Sequence, residues 1–122
     1  MRPISRAVAA IEIIDDYLTG KPIEVALKSW FRGSRFAGSS DRYSIRDIIF
    51  EVLRKRKSLI FPFELRGYKE NGRLLILSYL ADHHKKDELI NEIKKNEYFP
   101  KPPNSNEINI LEEKNQILAK KL

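Results

Sequence analysis

The residues best suited to chemistry are cationic, and they cluster. From position 32 onward the chain places Arg32, Arg35, Arg42, Arg46, Arg54, Lys55, Arg56 and Lys57 within 26 residues. A guanidinium forks onto phosphate oxygens and stacks on flat rings, so arginines at this density point to a polyanionic partner. On a helix of 3.6 residues per turn, Arg46, Arg54 and Lys57 would share about a quarter of the circumference, with Arg42 one turn before Arg46. The same cations also suit ordinary surface pairing with Asp47, Glu51 and other carboxylates. Phe36 and Tyr43 stand among the arginines, where an aromatic ring serves either as a stacking platform for an unpaired base or as a loop anchor.

Catalytic constellations are missing. His83 and His84 are adjacent, so on a helix they diverge and cannot share a metal as an i, i+4 pair does; they read as a solvated helix end. Asp15 and Asp16 read likewise as a solvated helical face. The Gly-Ser-Arg-Phe-Ala-Gly loop at 33–38 has two glycines but follows a helix, which is the wrong context for a nucleotide-binding loop. No Ser–His–Asp set or zinc spacing occurs. With no cysteine there is no disulfide, thiolate ligand or cysteine nucleophile.

The 122-residue chain fits one domain, is 42% hydrophobic and 33% charged, and has a formal charge of +6. That charge is local. Residues 1–57 hold 12 basic and 7 acidic residues, against 11 and 10 in the remainder, and eight of ten arginines lie in the first half. Such a balance favours phosphate partners, because each neutralised phosphate releases condensed counterions. The N-terminus, broken by Arg6 and Glu12, lacks the apolar run of a signal peptide, and no stretch approaches the ~20 apolar residues of a membrane span. The expected location is the cytoplasm, with no membrane association.

The elements that must position the cations are helical. Ile4, Ala7, Val8, Ile11, Ile14 and Leu18 recur every three or four residues, with Pro3 to open the helix and Gly20 to end it. Arg2 and Arg6 sit at its N-terminal end, where cations oppose the helix dipole, a hint of function. Pro22 opens a second helix with Val25, Ala26, Trp30 and Phe31 as its buried face, closed by Gly33. Ser39 or Ser40 is expected to cap a third, with Asp41 in its first turn. Its stripe of Ile45, Ile48, Ile49, Val52 and Leu53 is the cleanest in the chain and predicts a place at the centre of the core. Pro62 is expected to bound a short fourth segment over 58–65, and Gly67 and Asn71–Gly72 to mark turns. Helices are predicted over 74–84 and 87–96, then a proline-rich linker over 98–104 that cannot be regular helix. A last helix follows from Asn106, with apolar positions at Ile110, Leu111, Ile117 and Leu118. Period-two alternation is absent, so the expected fold class is all-α, with no sheet.

The runs RAVAAIEIIDDYLTGKP and ALKSWFRGSRFAGSSDRYSIRDIIFEVLRKRKSL resemble the N-terminal NusB-like domain of bacterial ribosomal RNA cytosine methyltransferases, the RsmB/Sun group, especially its alphaproteobacterial form. Asp41, Arg42, the Ile45–Leu53 stripe and Arg54 match that family's third-helix pattern. Gly-Arg-Leu-Leu-Ile-Leu and the Tyr-x-Pro-x-Pro linker also fit, though the likeness is looser after residue 58. The resemblance implies a NusB-like bundle of about six to seven helices over residues 1–98, with the proline-rich linker and final helix over 99–122. It implies a ribosomal RNA-binding role in which Arg2, Arg6, Arg32, Arg35, Arg42 and Arg46 face the RNA and the Arg54–Lys57 run lies beside them. In that family a downstream domain uses S-adenosylmethionine and paired cysteines; this chain has no cysteine and no such domain, so methyl transfer does not carry over and no cofactor is expected here. The expected partners are ribosomal RNA and a methyltransferase domain in cis or a protein partner. Two origins fit, a piece of a longer enzyme or a short stand-alone factor resembling the antitermination protein NusB, and a protein-interaction module is the alternative function.

Overall fold

Pro3 opens the first helix, where its missing N–H is lost at no expense because first-turn amides have no partner within the helix. In the computed structural model, which describes residues 1–121 and side chains through Lys114, the chain forms α1 (Pro3–Leu18), α2 (Ile23–Gly33), α3 (Ser39–Arg54), α4 (Arg56–Glu64), α5 (Gly72–His83), α6 (Lys86–Lys95) and α7 (Ser105–Lys121). No strand occurs among the described residues, and the fold is all-α. Ile117 and Leu118, expected on the apolar stripe of α7, have side chains outside the described residues. Among the described residues no helix is long and apolar enough to cross a membrane.

Two helices make the centre, and neither is the one with the cleanest stripe. Helix α1 buries Ile4, Ala7, Val8, Ala9, Ala10, Ile11, Ile13 and Ile14 and packs against α2, α3 and α5. Helix α5 buries Leu74, Leu75, Ile76, Leu77, Ser78 and Leu80, and touches α1, α3, α4, α6 and α7. Helix α3 buries only Asp41 and the apolar trio Ile45, Ile49 and Val52, with Ile48 and Leu53 half-buried, so the expectation that it would be central is corrected. For α5 the reason is geometric: a clean stripe belongs to a helix with one wet face, whereas a helix with apolar residues on most sides has none to show.

Local chemistry explains the element boundaries, and several differ from those expected. Neither Ser39 nor Ser40 caps α3; Gly38 is the N-cap residue, and the Asp41 carboxylate accepts its N–H at 3.2 Å. Asn71 and Gly72 start α5 instead of marking a turn: the Asn71 side chain accepts the Leu74 N–H at 2.8 Å. Gly72 donates its own N–H to Asp15 Oδ1 at 2.7 Å, and a Cβ there would lie 2.6 Å from the Ile11 carbonyl oxygen. Asp15 is therefore no mere solvated residue but the anion at the start of α5, where the helix dipole favours it. Pro62 lies inside α4, which tolerates it because Leu59, Ile60 and Phe63 anchor the helix in the core. On α2, Ala26 and Leu27 are buried, Trp30 and Phe31 only half-buried, and Val25 is exposed, so the expected buried face is rotated.

The proline-rich stretch is irregular, as expected, yet firmly held. Phe99 is buried in the core, and Arg73 donates to the carbonyls of Lys101 and Pro102. Asn104 and Glu107 exchange reciprocal bonds of 2.9 and 3.0 Å at the start of α7, a capping box. Arg73 then grips Glu107 with two bonds of 2.8 Å. Ile110 and Leu111 are buried, and α7 packs on α4 and α5.

Candidate nucleic-acid interface

Asp41 organises the basic end of the bundle. It is almost buried at the first turn of α3, and the Arg6 guanidinium reaches it from α1 through Nε at 3.0 Å and Nη2 at 2.8 Å. The Arg6 bond holds the Asp41 carboxyl below its usual range, and the Gly38 N–H adds to this against the opposing effect of burial. The pair ties the N-termini of α1 and α3 together and carries the 34–38 loop with them.

Around that clamp the ten candidate cations divide by partner. Arg6, Arg46, Lys55 and Arg56 each hold a carboxylate. Arg46 pairs with Glu24 of α2 at 2.9 Å, Lys55 with Glu51 at 3.1 Å, and Arg56 with Glu70 through two bonds of 2.7 and 2.5 Å. Arg2, Arg32, Arg35, Arg42, Arg54 and Lys57 are exposed and make no ion pair among the described residues. Arg42 is steadied without being neutralised: its Nε donates to the Ala37 carbonyl at 3.3 Å and its guanidinium lies 5.4 Å from the Phe31 ring centre. A cation fixed by a neutral acceptor and an aromatic face keeps its charge available to an anion.

The Arg54–Lys57 run does not share one helical face. Helix α3 stops at Arg54, Lys55 caps it, and Arg56 and Lys57 begin α4. The shared quarter-turn expected for Arg46, Arg54 and Lys57 is thus lost, because it assumed an unbroken helix. What remains together is the group joined by the Arg6–Asp41 clamp: Arg2 before α1, Arg32 and Arg35 around the loop, and Arg42 on α3.

Beside this group runs a groove of about 510 Å³, between α1 and the segment from Trp30 to Phe36, with Tyr98 at its edge. Val8 and Ala9 contribute apolar floor, while Ser5, Ser34 and Glu12 are its polar lining. Trp30 donates its indole N–H to Glu12 Oε2 at 2.7 Å and meets Phe36 edge to face, with ring centres 6.3 Å apart. Phe36 is 73% exposed and Tyr98 74%. Trp30, expected in the core, is one wall of this groove. Tyr98 was not foreseeable as a neighbour, since it arrives from more than sixty residues away on a chain segment tied to α1 by the Asn96–Ser5 hydrogen bond. Tyr43 is equally exposed but stands on α3, outside the groove lining.

Elsewhere the titratable residues are tied into the fold. His83 stacks edge-on to Tyr79 and lies 3.6 Å from Glu51. Lys114 of α7 reaches Ser78 and Asp82 of α5, and burial lowers its pKa against the raising influence of Asp82. Among the described residues no group of three or more His, Asp or Glu side chains converges to hold a metal ion. The cations and aromatic rings at the α1–α3 end are the arrangement most suited to a ligand, and the ligand they suit is anionic with flat parts. No family model matches the chain, and neither does any curated protein or solved structure.

Proposed function

We propose that this chain is a ribosomal RNA-binding module of a 5-methylcytosine methyltransferase, binding through the basic end around Asp41. The observation that carries the reading is the set of Arg2, Arg32, Arg35 and Arg42, exposed and without carboxylate partners among the described residues, around one structural clamp. Four such cations neutralise phosphates on a strand passing over the end of the bundle. The resemblance in the first 58 residues supports ribosomal RNA as the target and a methyltransferase as the parent. Methyl transfer itself is not assigned to this chain. It has no cysteine to attack a cytosine ring.

Fluorescence anisotropy with a labelled ribosomal RNA hairpin tests the reading. About four phosphate contacts predict an affinity loss on the order of a hundredfold between about 50 and 200 mM salt. Absence of binding, or binding indifferent to salt, would defeat it.

A second reading, protein docking, is favoured by α4. Phe61 and Leu65 are exposed beside an apolar groove of about 400 Å³ that also involves Ile110 of α7. Light scattering on a size-exclusion column tests its simplest form, self-association, which requires a mass above 14.3 kDa.

A further inference from the structure

We infer that the aromatic groove beside the basic end takes one unpaired nucleobase of the bound RNA, with guanine preferred. The inference rests on the RNA-binding reading and adds a base-specific subsite to it. Its first support is the contrast between the flanking arginines and the lining. Arg2 follows Met1, which lines the groove, and Arg35 lies between Ser34 and Phe36, which also line it; both arginines are exposed. The lining is Val8 and Ala9, the rings of Trp30, Phe36 and Tyr98, and the exposed Glu12, whose carboxylate Trp30 holds. A phosphate is drawn to the flanking arginines and repelled by the Glu12 carboxylate in the lining. A neutral flat ring is not repelled, and it gains stacking on aromatic faces.

The second support is size and openness. At about 510 Å³ the groove lies in the range of roughly 300–1,000 Å³ typical of small-ligand pockets, ample for a single base. Phe36 and Tyr98, both in the lining, project their rings mostly into solvent, which leaves two aromatic faces open to a ligand.

The third support concerns which base. Glu12 Oε2 is engaged by the Trp30 indole, which fixes the carboxylate and leaves Oε1 as an acceptor without a partner among the described residues. An ionised carboxylate only accepts hydrogen bonds. Guanine offers two adjacent donors on its Watson–Crick edge, the N1–H and the N2 amino group. Uracil offers one N–H flanked by two carbonyl acceptors that the carboxylate repels. Cytosine and adenine, with one amino group each, fall between.

Trp30 is the sole tryptophan, so its emission reports on this groove alone. The experiment uses the full chain with two single-stranded RNA octamers, one all uridine and one with a single central guanosine. Anisotropy and tryptophan emission are read in the same titration. The expected result is quenching of Trp30 and about tenfold tighter binding of the guanosine octamer. Phe36→Ala and Tyr98→Ala should each weaken that binding by about tenfold, as loss of a stacking platform does. Both side chains are exposed, so circular dichroism should show unchanged helicity. Glu12→Gln, which keeps an oxygen for Trp30 but adds a donor, should bring the two octamers to within about twofold of each other. Salt-dependent RNA binding without quenching, and unaffected by Phe36→Ala or Tyr98→Ala, would overturn the groove assignment and leave the basic-end reading standing. Equal quenching and affinity for both octamers would overturn the guanine preference. Absence of RNA binding in every format would overturn both readings.

Discussion

The arginines before and after Lys57 serve opposite ends. Both later ones, Arg66 and Arg73, reach carboxylates on α7, at Glu113 and Glu107. Of the eight earlier ones only Arg6, Arg46 and Arg56 hold a carboxylate among the described residues. The side chain is the same, and the difference is whether the fold brings a carboxylate within reach. In the second half both guanidinium groups close on α7; in the first half five of the eight are left without a carboxylate among the described residues. The more buried of the two later pairs, Arg73–Glu107, sits where the proline-rich stretch must be held to the bundle, whereas Arg35 lies in a loop with no acid of its own and Arg32 just before it.

Substitutions that ignore this division would break the comparison. The largest effect is expected for Arg73→Ala, which strands a buried Glu107 and releases the Lys101 and Pro102 carbonyls. Unfolding free energy should fall by about 3–5 kcal/mol, read from urea denaturation, while RNA affinity of the folded fraction holds. A loss below about 1 kcal/mol would mean that the later arginines are no more structural than the earlier ones. Replacing Arg32, Arg35 and Arg42 together with alanine should do the reverse. The salt slope of RNA binding should become shallower by about three and affinity drop on the order of a hundredfold, with the urea midpoint nearly unmoved.

Acid titration sharpens the same contrast. The Arg73 pair holds the Glu107 carboxyl below its usual range, as Arg6 does for Asp41. Both carboxylates are therefore easier to protonate in the unfolded chain. Their contribution to stability is complete above the ordinary carboxylate pKa and is lost as pH falls through their lowered folded values. Glu107→Gln should flatten that acid limb in a pH series of thermal melts; an unchanged limb would detach Glu107 from it. The smallest effect is expected from Arg46→Ala. Its pair with Glu24 is solvent-screened and should contribute under about 1 kcal/mol to stability. RNA affinity should fall less than for Arg42→Ala, and a larger fall would return Arg46 to the binding face.

The sequence was most legible where one residue type has one strong local meaning. Pro3, Gly20 and Gly33 bound helices as expected, and the α1 spacing marked a buried helix. Legibility failed where meaning depends on distant chain. The α3 stripe suggested a centre because it was regular, whereas α5, which shows no single apolar face, packs on α1 as α3 does and buries more of its length. Pro62 suggested a boundary because local rules place proline at helix ends, and only the core contacts of Leu59, Ile60 and Phe63 carry α4 through it. The cationic cluster was visible in composition, but which members retain an available charge is decided by Glu24, Asp41 and Glu70, which lie up to 35 residues away from their partners. The aromatic groove was least legible, since Glu12, Trp30 and Tyr98 share no sequence neighbourhood.

The contact of Gly72 with α1 has a spectroscopic consequence. Its amide proton is held by the Asp15 carboxylate across a 2.7 Å bond while the Ile11 carbonyl takes the space that a Cβ would need. A charge-assisted bond of that length deshields the proton, so Gly72 should appear as an outlying downfield amide signal in a nitrogen–proton correlation spectrum. Its exchange with deuterium tracks the separation of α1 from α5. One resonance thus monitors the docking of the two central helices, and it can be followed through every substitution named above without a label on the protein surface.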